Sequence, residues 1–334
     1  MKEAMFWEPQ DKDRVRCNLC HHRCVILPRR RGICSVRENR GGVLYSLVYG
    51  KLTAQAVDPI EKKPLFHFLP GTGSFSIATR GCNFKCLHCQ NCNISQVSAS
   101  ESFDEDGEVS PEQVVGAAKA YGSHSISYTY TEPTIFYEYV HDTARIAAEQ
   151  GLKNVLVTNG YITPEALRHL APHVDAANID LKFFRDDLYR EICGAHLQPV
   201  LETIRTYHEL GIWIEITTLV IPTYNDSEEQ LRGIAGFIAN LNKDIPWHLS
   251  AFYPTYKLTD VPPTPVSILE KATEIGLAQG LKYVYVGNVN KRSDTRCPEC
   301  RTALVERSRF SVLSNRMDQG KCPKCGTAIA GVWK

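Results

Sequence analysis

Long apolar runs are missing from this chain of 334 residues. No stretch approaches the ~18 uninterrupted apolar residues of a membrane span, which excludes a helical integral membrane protein. Glu3 and Glu8 interrupt the start, where a secretory leader needs a basic and then an apolar run. The expectation is a cytoplasmic protein with no membrane partner. A surplus of one charge is missing too: 38 Lys and Arg face 37 Asp and Glu, a net charge of +1, so nothing global marks a polyanionic partner. With 43% hydrophobic and 22% charged residues, disordered and fibrous chains are excluded, and there is room for a sizeable core plus a small extra module.

Cysteine is what the chain has in excess. Its 13 thiols are too many to be incidental in a reducing compartment, where metal binding and redox chemistry outrank disulfides. They fall into three groups: Cys17, Cys20, Cys24 and Cys34; Cys82, Cys86, Cys89 and Cys92; Cys297, Cys300, Cys322 and Cys325. Only Cys193 is left over. Charge is uneven in the same pattern, with +6 over residues 1–63, +6 over 291–334 and −11 between. Thiolate–metal sites would offset part of each basic end, which favours solvated or docked faces over a nucleic-acid arm. Arg29, Arg30 and Arg31 would carry the nucleic-acid reading.

Between the second and third groups, strand-like runs alternate with helix-like ones in a βα rhythm. The expected strands are 74–79, 125–130, 154–158, 176–181, 213–221, 247–252 and 282–286. Ser110-Pro111 with Gln113 predicts a capped helix start, and Thr163-Pro164 repeats the device. Polar residues end strand after strand, where barrels and open α/β sheets place their chemistry. About six βα units favour a full or partial barrel over a doubly wound sheet.

Cys82-Asn-Phe-Lys-Cys86-Leu-His-Cys89 follows the first of these strands. Such a triplet arises by chance about 0.02 times at this cysteine density. Three thiolates bind an iron–sulfur cubane and leave its fourth iron without a protein ligand, open to a cosubstrate. Cys92 as a fourth ligand would instead close the cluster into an electron carrier. That reading leaves the βα body without a job, so Cys92 and Cys193 are expected to be small buried hydrophobes.

The loop resembles that of the radical S-adenosylmethionine (radical SAM) superfamily, with His88 in the aromatic slot of Cys-x3-Cys-x-aromatic-Cys. The resemblance implies a 4Fe-4S cluster, SAM, and a deoxyadenosyl radical that abstracts hydrogen from a substrate. It also implies cofactor contacts at Thr131 and Glu132, at Thr158 and Asn159, and at Asp180 and Lys182, matching motifs of the pyruvate formate-lyase-activating enzyme group. Where activating enzymes carry a histidine near the sixth strand, this chain has Tyr253. Gly32-Ile-Cys34-Ser-Val-Arg37, Pro246-Trp-His248 and Tyr283-Val-Tyr-Val-Gly-Asn288 resemble the radical SAM component of the AmmeMemoRadiSam system. That implies Memo-type and AMMECR-type partners, together with an electron donor such as flavodoxin or ferredoxin.

The fold expected is α/β, a partial (β/α)6 TIM-like radical SAM barrel over residues 64–290. An N-terminal four-cysteine module (1–63) and a zinc ribbon (291–334) flank it. Cys297-x2-Cys300 and Cys322-x2-Cys325 have ribbon spacing, with zinc expected and a rubredoxin-like iron the alternative. Cys17, Cys20, Cys24 and Cys34 suit either structural zinc or an auxiliary 4Fe-4S cluster, and spacing leaves that open. His21 and His22 are expected to be ordinary surface residues. The function classes in play are a radical SAM enzyme acting on a protein or other substrate, an activase of glycyl-radical enzymes, and a non-catalytic iron–sulfur carrier or zinc scaffold.

Overall fold

The computed structural model describes residues 1–103 and 107–333. Its centre is an open sheet of eight strands in sequential order. These are β1 (Leu52–Pro59), β2 (Gly73–Thr79), β3 (Ser125–Tyr128), β4 (Lys153–Thr158), β5 (Ala176–Asp180), β6 (Trp213–Val220), β7 (Trp247–Ala251) and β8 (Val284–Gly287). From β2 onward every neighbouring pair is parallel, and β1 alone runs antiparallel, on β2.

Six helices make the crossovers: α1 (Pro111–Ala120), α2 (Tyr137–Glu149), α3 (Pro164–Leu170), α4 (Leu197–Glu209), α5 (Glu228–Leu241) and α6 (Val266–Ala278). Six parallel βα units agree with the expected fold. The seven expected strands are present within a residue or two. β1 is an addition to them: its apolar positions are mostly alanine (Leu52-Thr-Ala54-Gln-Ala56) and most of the strand is half-buried or exposed, so its alternation is weak in hydrophobicity. It belongs to this sheet although it precedes residue 64.

Apolar faces hold the layers together. Val200, Leu201 and Ile204 of α4 and Leu231, Ile234 and Ile238 of α5 are buried at helical spacing. Ser110 forms the expected capping box with Gln113 at the start of α1. Thr163 does not cap α3; its hydroxyl donates instead to the Asn18 carbonyl at 2.9 Å, tying the helix entry to the N-terminal module.

That module consists of two three-stranded antiparallel sheets. Arg37, buried, pairs with buried Glu138 of α2 at 3.0 Å and donates to the Met5 carbonyl. Such an ion pair holds only because each charge keeps its partner. At the other end of the chain, strands Ala303–Ser308 and Ser311–Asn315 form the hairpin of a ribbon that docks on the base of the sheet. Fully buried Arg307 donates to the Phe66 carbonyl at 2.7 Å and lies over the Phe66 ring. Glu215 of β6 accepts from the Phe66 and His67 backbone N–H groups and from His248 of β7 at 2.6 Å. His67 in turn meets the Tyr285 hydroxyl at 2.6 Å. The His248 and Tyr285 segments singled out in the sequence thus build the base of the sheet.

Candidate active site

The loop after β2 is fixed by its backbone. Gly81 sits at φ +99°, and a Cβ there would lie 2.6 Å from Val36 Cγ1 and 3.0 Å from the Cys34 carbonyl, so only glycine fits. Lys85 N–H donates to the Cys193 carbonyl at 2.8 Å and Leu87 N–H to Ile192 at 3.0 Å, which clamps the loop onto the π-helical turn Tyr189–Cys193 after β5. Phe84, fully buried, packs edge-on against Tyr161.

Each thiol of the loop then has a distinct setting. The Phe84 N–H points at Cys82 Sγ at 3.3 Å, Cys89 Sγ lies 3.0 Å from the Ser95 hydroxyl, and the buried Cys193 thiol neighbours Cys86. Interaction with the Cys193 thiol holds the Cys86 thiol below its ordinary value, against its burial, whereas burial raises Cys82 and Cys89. Cys193 is buried as expected, yet it is no bystander. Cys92 is half-buried rather than buried and is not part of the cavity wall.

The three thiols open on a cavity of about 480 Å³, a size common to small-molecule sites. Strand ends β3 to β7 all contribute to its wall, which is what a curled parallel sheet produces. Thr131 and Glu132 come from β3, Thr158 and Asn159 from β4, Asp180 and Lys182 from β5. Ser250 represents β7 in the wall. Tyr253 lies outside it, 48% exposed, with its hydroxyl 3.3 Å from the Asn288 carbonyl. The chain leaves β7 at Ala251, so residue 253 is already in the irregular segment that follows.

Glu132 does more than line the cavity. Its Oε1 accepts from the Thr134 N–H and hydroxyl and from the Thr158 hydroxyl, and its Oε2 accepts from the Asn159 N–H at 2.8 Å. Burial raises this carboxyl, and those four donors oppose the rise. It therefore locks β3 to β4 and caps the short helix Pro133–Phe136. Lys182 Nζ meets Asp180 at 2.7 Å. Burial lowers the ammonium, but Asp180, Cys86 and Cys193 outweigh that and hold it well above its ordinary value, a positive charge beside the thiols.

Orphaned polar atoms mark where a bound molecule would be recognised. His88 is buried, its two ring nitrogens have no protein partner, and burial pushes it down to about 3, so the ring is neutral. Asn83, which does not line this cavity, accepts through Oδ1 from Asn159 at 2.8 Å. Three thiols on one loop, an adjacent cation and unpaired donors and acceptors fit a cubane with an open iron and an amino-acid cosubstrate. Cys82, Cys86 and Cys89 would hold the cluster.

Comparison with known proteins agrees. The family model of the radical SAM superfamily matches residues 76–233, the span from β2 into α5. The Methanocaldococcus jannaschii protein MJ0808 is 48% identical over 334 residues, covering 98% of this chain and 99% of the relative. This chain belongs to the radical SAM superfamily. The pyruvate formate-lyase-activating enzyme of Clostridium pasteurianum is 23% identical over 168 residues, 48% of this chain and 68% of that enzyme. Among solved structures, a radical SAM methyltransferase from Sphaerobacter thermophilus superposes with a TM-score of 0.52 at 17% identity, over 66% of this chain and 68% of that one, a likeness of fold. Members of the superfamily are generally enzymes of radical chemistry, and membership implies a 4Fe-4S cluster and SAM. No helix among the described residues is long and apolar enough to cross a membrane.

Several features of the radical SAM site have no signal in the sequence. Lys62 and Lys63 join the cavity wall from ahead of β2, and both donate to Asp58 of β1, at 2.8 and 2.6 Å. The Tyr130 hydroxyl also donates to Asp58. Burial pushes Lys63 down to about 8 despite Asp58. No motif flags these residues, which sit in the short 3-10 turn Ile60–Lys62 and at its end, just after β1. His21 and His22 are half-buried rather than on the surface, and His22 Nε2 lies 2.8 Å from the Asn83 carbonyl.

At the C-terminus, the Cys297, Cys300, Cys322 and Cys325 sulfurs all lie within 4.8 Å of one another. Two of the cross-pairs are 3.6 Å apart, close to the ~3.8 Å that a tetrahedron with ~2.3 Å zinc–sulfur bonds requires. The group fits a zinc ribbon.

Proposed function

We propose that this protein cleaves SAM reductively and uses the resulting 5′-deoxyadenosyl radical to abstract hydrogen from a substrate that a partner protein presents or carries. The observation that carries the reading is the set of three thiols, without a fourth in the wall, opening on a cavity flanked by Lys182, Asp180 and unpartnered His88. When bound, the cluster supplies a low-potential electron and an iron site for the amino and carboxylate groups of SAM.

The chain's own groups have separable tasks. Lys182 supplies a fixed positive charge for a carboxylate, and Asp180 keeps it oriented. Glu132 is saturated by protein donors, so its task is to hold Thr158 and Asn159 in place rather than to receive an ammonium directly. Buried Phe84, with Phe183 and Tyr189 behind the loop, keeps water from the thiols. Neutral His88 offers a donor and an acceptor to a heteroaromatic edge.

The AmmeMemoRadiSam resemblance supports Memo-type and AMMECR-type proteins as partners, with a flavodoxin or ferredoxin as donor, in the cytoplasm. A second reading, activation of a glycyl-radical enzyme, is favoured by the likeness to activating enzymes, and a glycyl-radical signal on a co-purified large enzyme would select it. The proposed cleavage is tested by anaerobic reconstitution followed by dithionite and SAM. The wild type should release 5′-deoxyadenosine and Cys86→Ala none; no product from wild type with a reduced cluster would refute the enzyme reading in favour of a carrier or scaffold.

A further inference from the structure

We propose that Cys17, Cys20, Cys24 and Cys34 bind a second iron–sulfur cluster of the 4Fe-4S class, with four protein thiolates and no open iron. The first support is spacing. A single tetrahedral ion draws its four sulfurs to within ~3.8 Å of one another. Among the described residues, only the C-terminal four meet such a criterion, with all sulfurs within 4.8 Å. No three of the N-terminal thiols do so, and neither do Cys82, Cys86 and Cys89. A cubane places each thiolate on a different iron, which sets the sulfurs further apart around a central volume. The N-terminal set therefore behaves like the central set and unlike the ribbon.

The second support is that this volume exists and is bordered for a sulfide-rich anion. All four thiols line one small cavity whose remaining walls include apolar Leu19, Ile26 and Ile135. Gly32 leaves the space open: a Cβ there would come within 3.2 Å of Ile26 Cδ1 and 3.6 Å of Cys24 Sγ. Two wall residues carry buried N–H donors without partners, Asn83 through Nδ2 and Arg37 through Nε. These residues are 1% and 2% exposed, so no water replaces the missing acceptor at the surface. Bridging sulfides are the acceptors such donors lack.

The third support is location. Asn83 stands between the two sites: it follows Cys82 in sequence, accepts from Asn159 of the central cavity wall, and itself lines the N-terminal cavity. His22, two residues after Cys20, meets the Asn83 carbonyl, and Gly81 packs on the Cys34 carbonyl. One residue thus walls off two sulfur cages.

The inference rests on the central cluster only for comparison of geometry, and the test separates the two. Anaerobically purified wild-type protein should contain about eight irons, about eight sulfides and one zinc per chain. The Cys82→Ala/Cys86→Ala/Cys89→Ala variant should keep about four irons and four sulfides, with a Mössbauer signature of a 4Fe-4S centre that SAM does not perturb. Four irons with two zincs in the wild type, or zinc alone in the triple variant, would overturn the second cluster while leaving the central reading intact. A wild type whose irons all persist in the triple variant would overturn the central reading instead. The wild-type metal count needs no substituted chain to fold.

Discussion

Gly81→Ala tests whether the N-terminal module truly presses on the central loop. The added methyl meets two obstacles of different origin. At φ +99° an L-residue with a Cβ is strained by about 1–2 kcal/mol. The same Cβ would approach Val36 Cγ1 to 2.6 Å and the Cys34 carbonyl to 3.0 Å, and a backbone carbonyl cannot swing aside. Overpacking of that kind adds about 1–3 kcal/mol. Gly151, at φ +78° and with nothing within 4 Å of where an added Cβ would sit, carries the first cost without the second. Denaturant titration of both alanine variants, fully loaded with metal under anaerobic conditions, isolates the steric part. Gly81→Ala should lose about 1–3 kcal/mol more than Gly151→Ala and should also bind less iron. Equal losses in the two variants would refute the packing of Cys34 and Val36 on the loop.

Other consequences follow from single groups. Asp180→Ala leaves Lys182 beside Cys86 without its carboxylate, so SAM affinity should fall roughly five- to hundredfold by equilibrium dialysis, corresponding to about 1–3 kcal/mol; unchanged affinity would contradict the role given to the pair. Glu132→Ala strands four buried donors and should cost roughly 2–4 kcal/mol in thermal or denaturant unfolding, whereas a variant as stable as wild type would show the carboxylate to be dispensable. Burial would raise Asp58, but Lys62, Lys63 and Tyr130 outweigh it and hold the carboxyl well below its ordinary range. A depressed folded-state value adds stability that is complete above the unfolded value near ~4 and fades as pH falls below it. Asp58→Asn should therefore be less stable than wild type at pH 7, and the gap should narrow below about pH 4; a gap independent of pH would remove the ion cluster from the account. Cys322→Ser should lower bound zinc by one per chain and expose the ribbon to limited proteolysis, because the docking of Arg307 on Phe66 presupposes a closed ribbon.

Much of the site was legible because its residues end apolar strands at regular intervals, so Thr131, Glu132, Thr158, Asn159, Asp180 and Lys182 announce themselves by position. The ribbon was legible from two Cys-x2-Cys knuckles alone. What sequence concealed depends on contacts across the fold. Cys193 reads as a lone thiol, and only the turn after β5 brings it to Cys86. Lys63 precedes β2 by ten residues and reaches the cavity because β1, just ahead of it in the chain, pairs with β2. Tyr253 follows from resemblance alone, and it stands outside the cavity wall because β7 ends two residues earlier. Glu132 reads as a cosubstrate ligand, while its oxygens are taken by neighbours that no spacing rule foretells.

The central claim is an iron that the protein leaves free for SAM. Electron paramagnetic resonance of the singly reduced protein, before and after adding SAM labelled in its amino nitrogen and carboxylate oxygen, measures this directly. The account predicts a changed spectrum with hyperfine coupling from both labels, lost in Cys86→Ala. A reduced-cluster spectrum identical with and without saturating labelled SAM would contradict it.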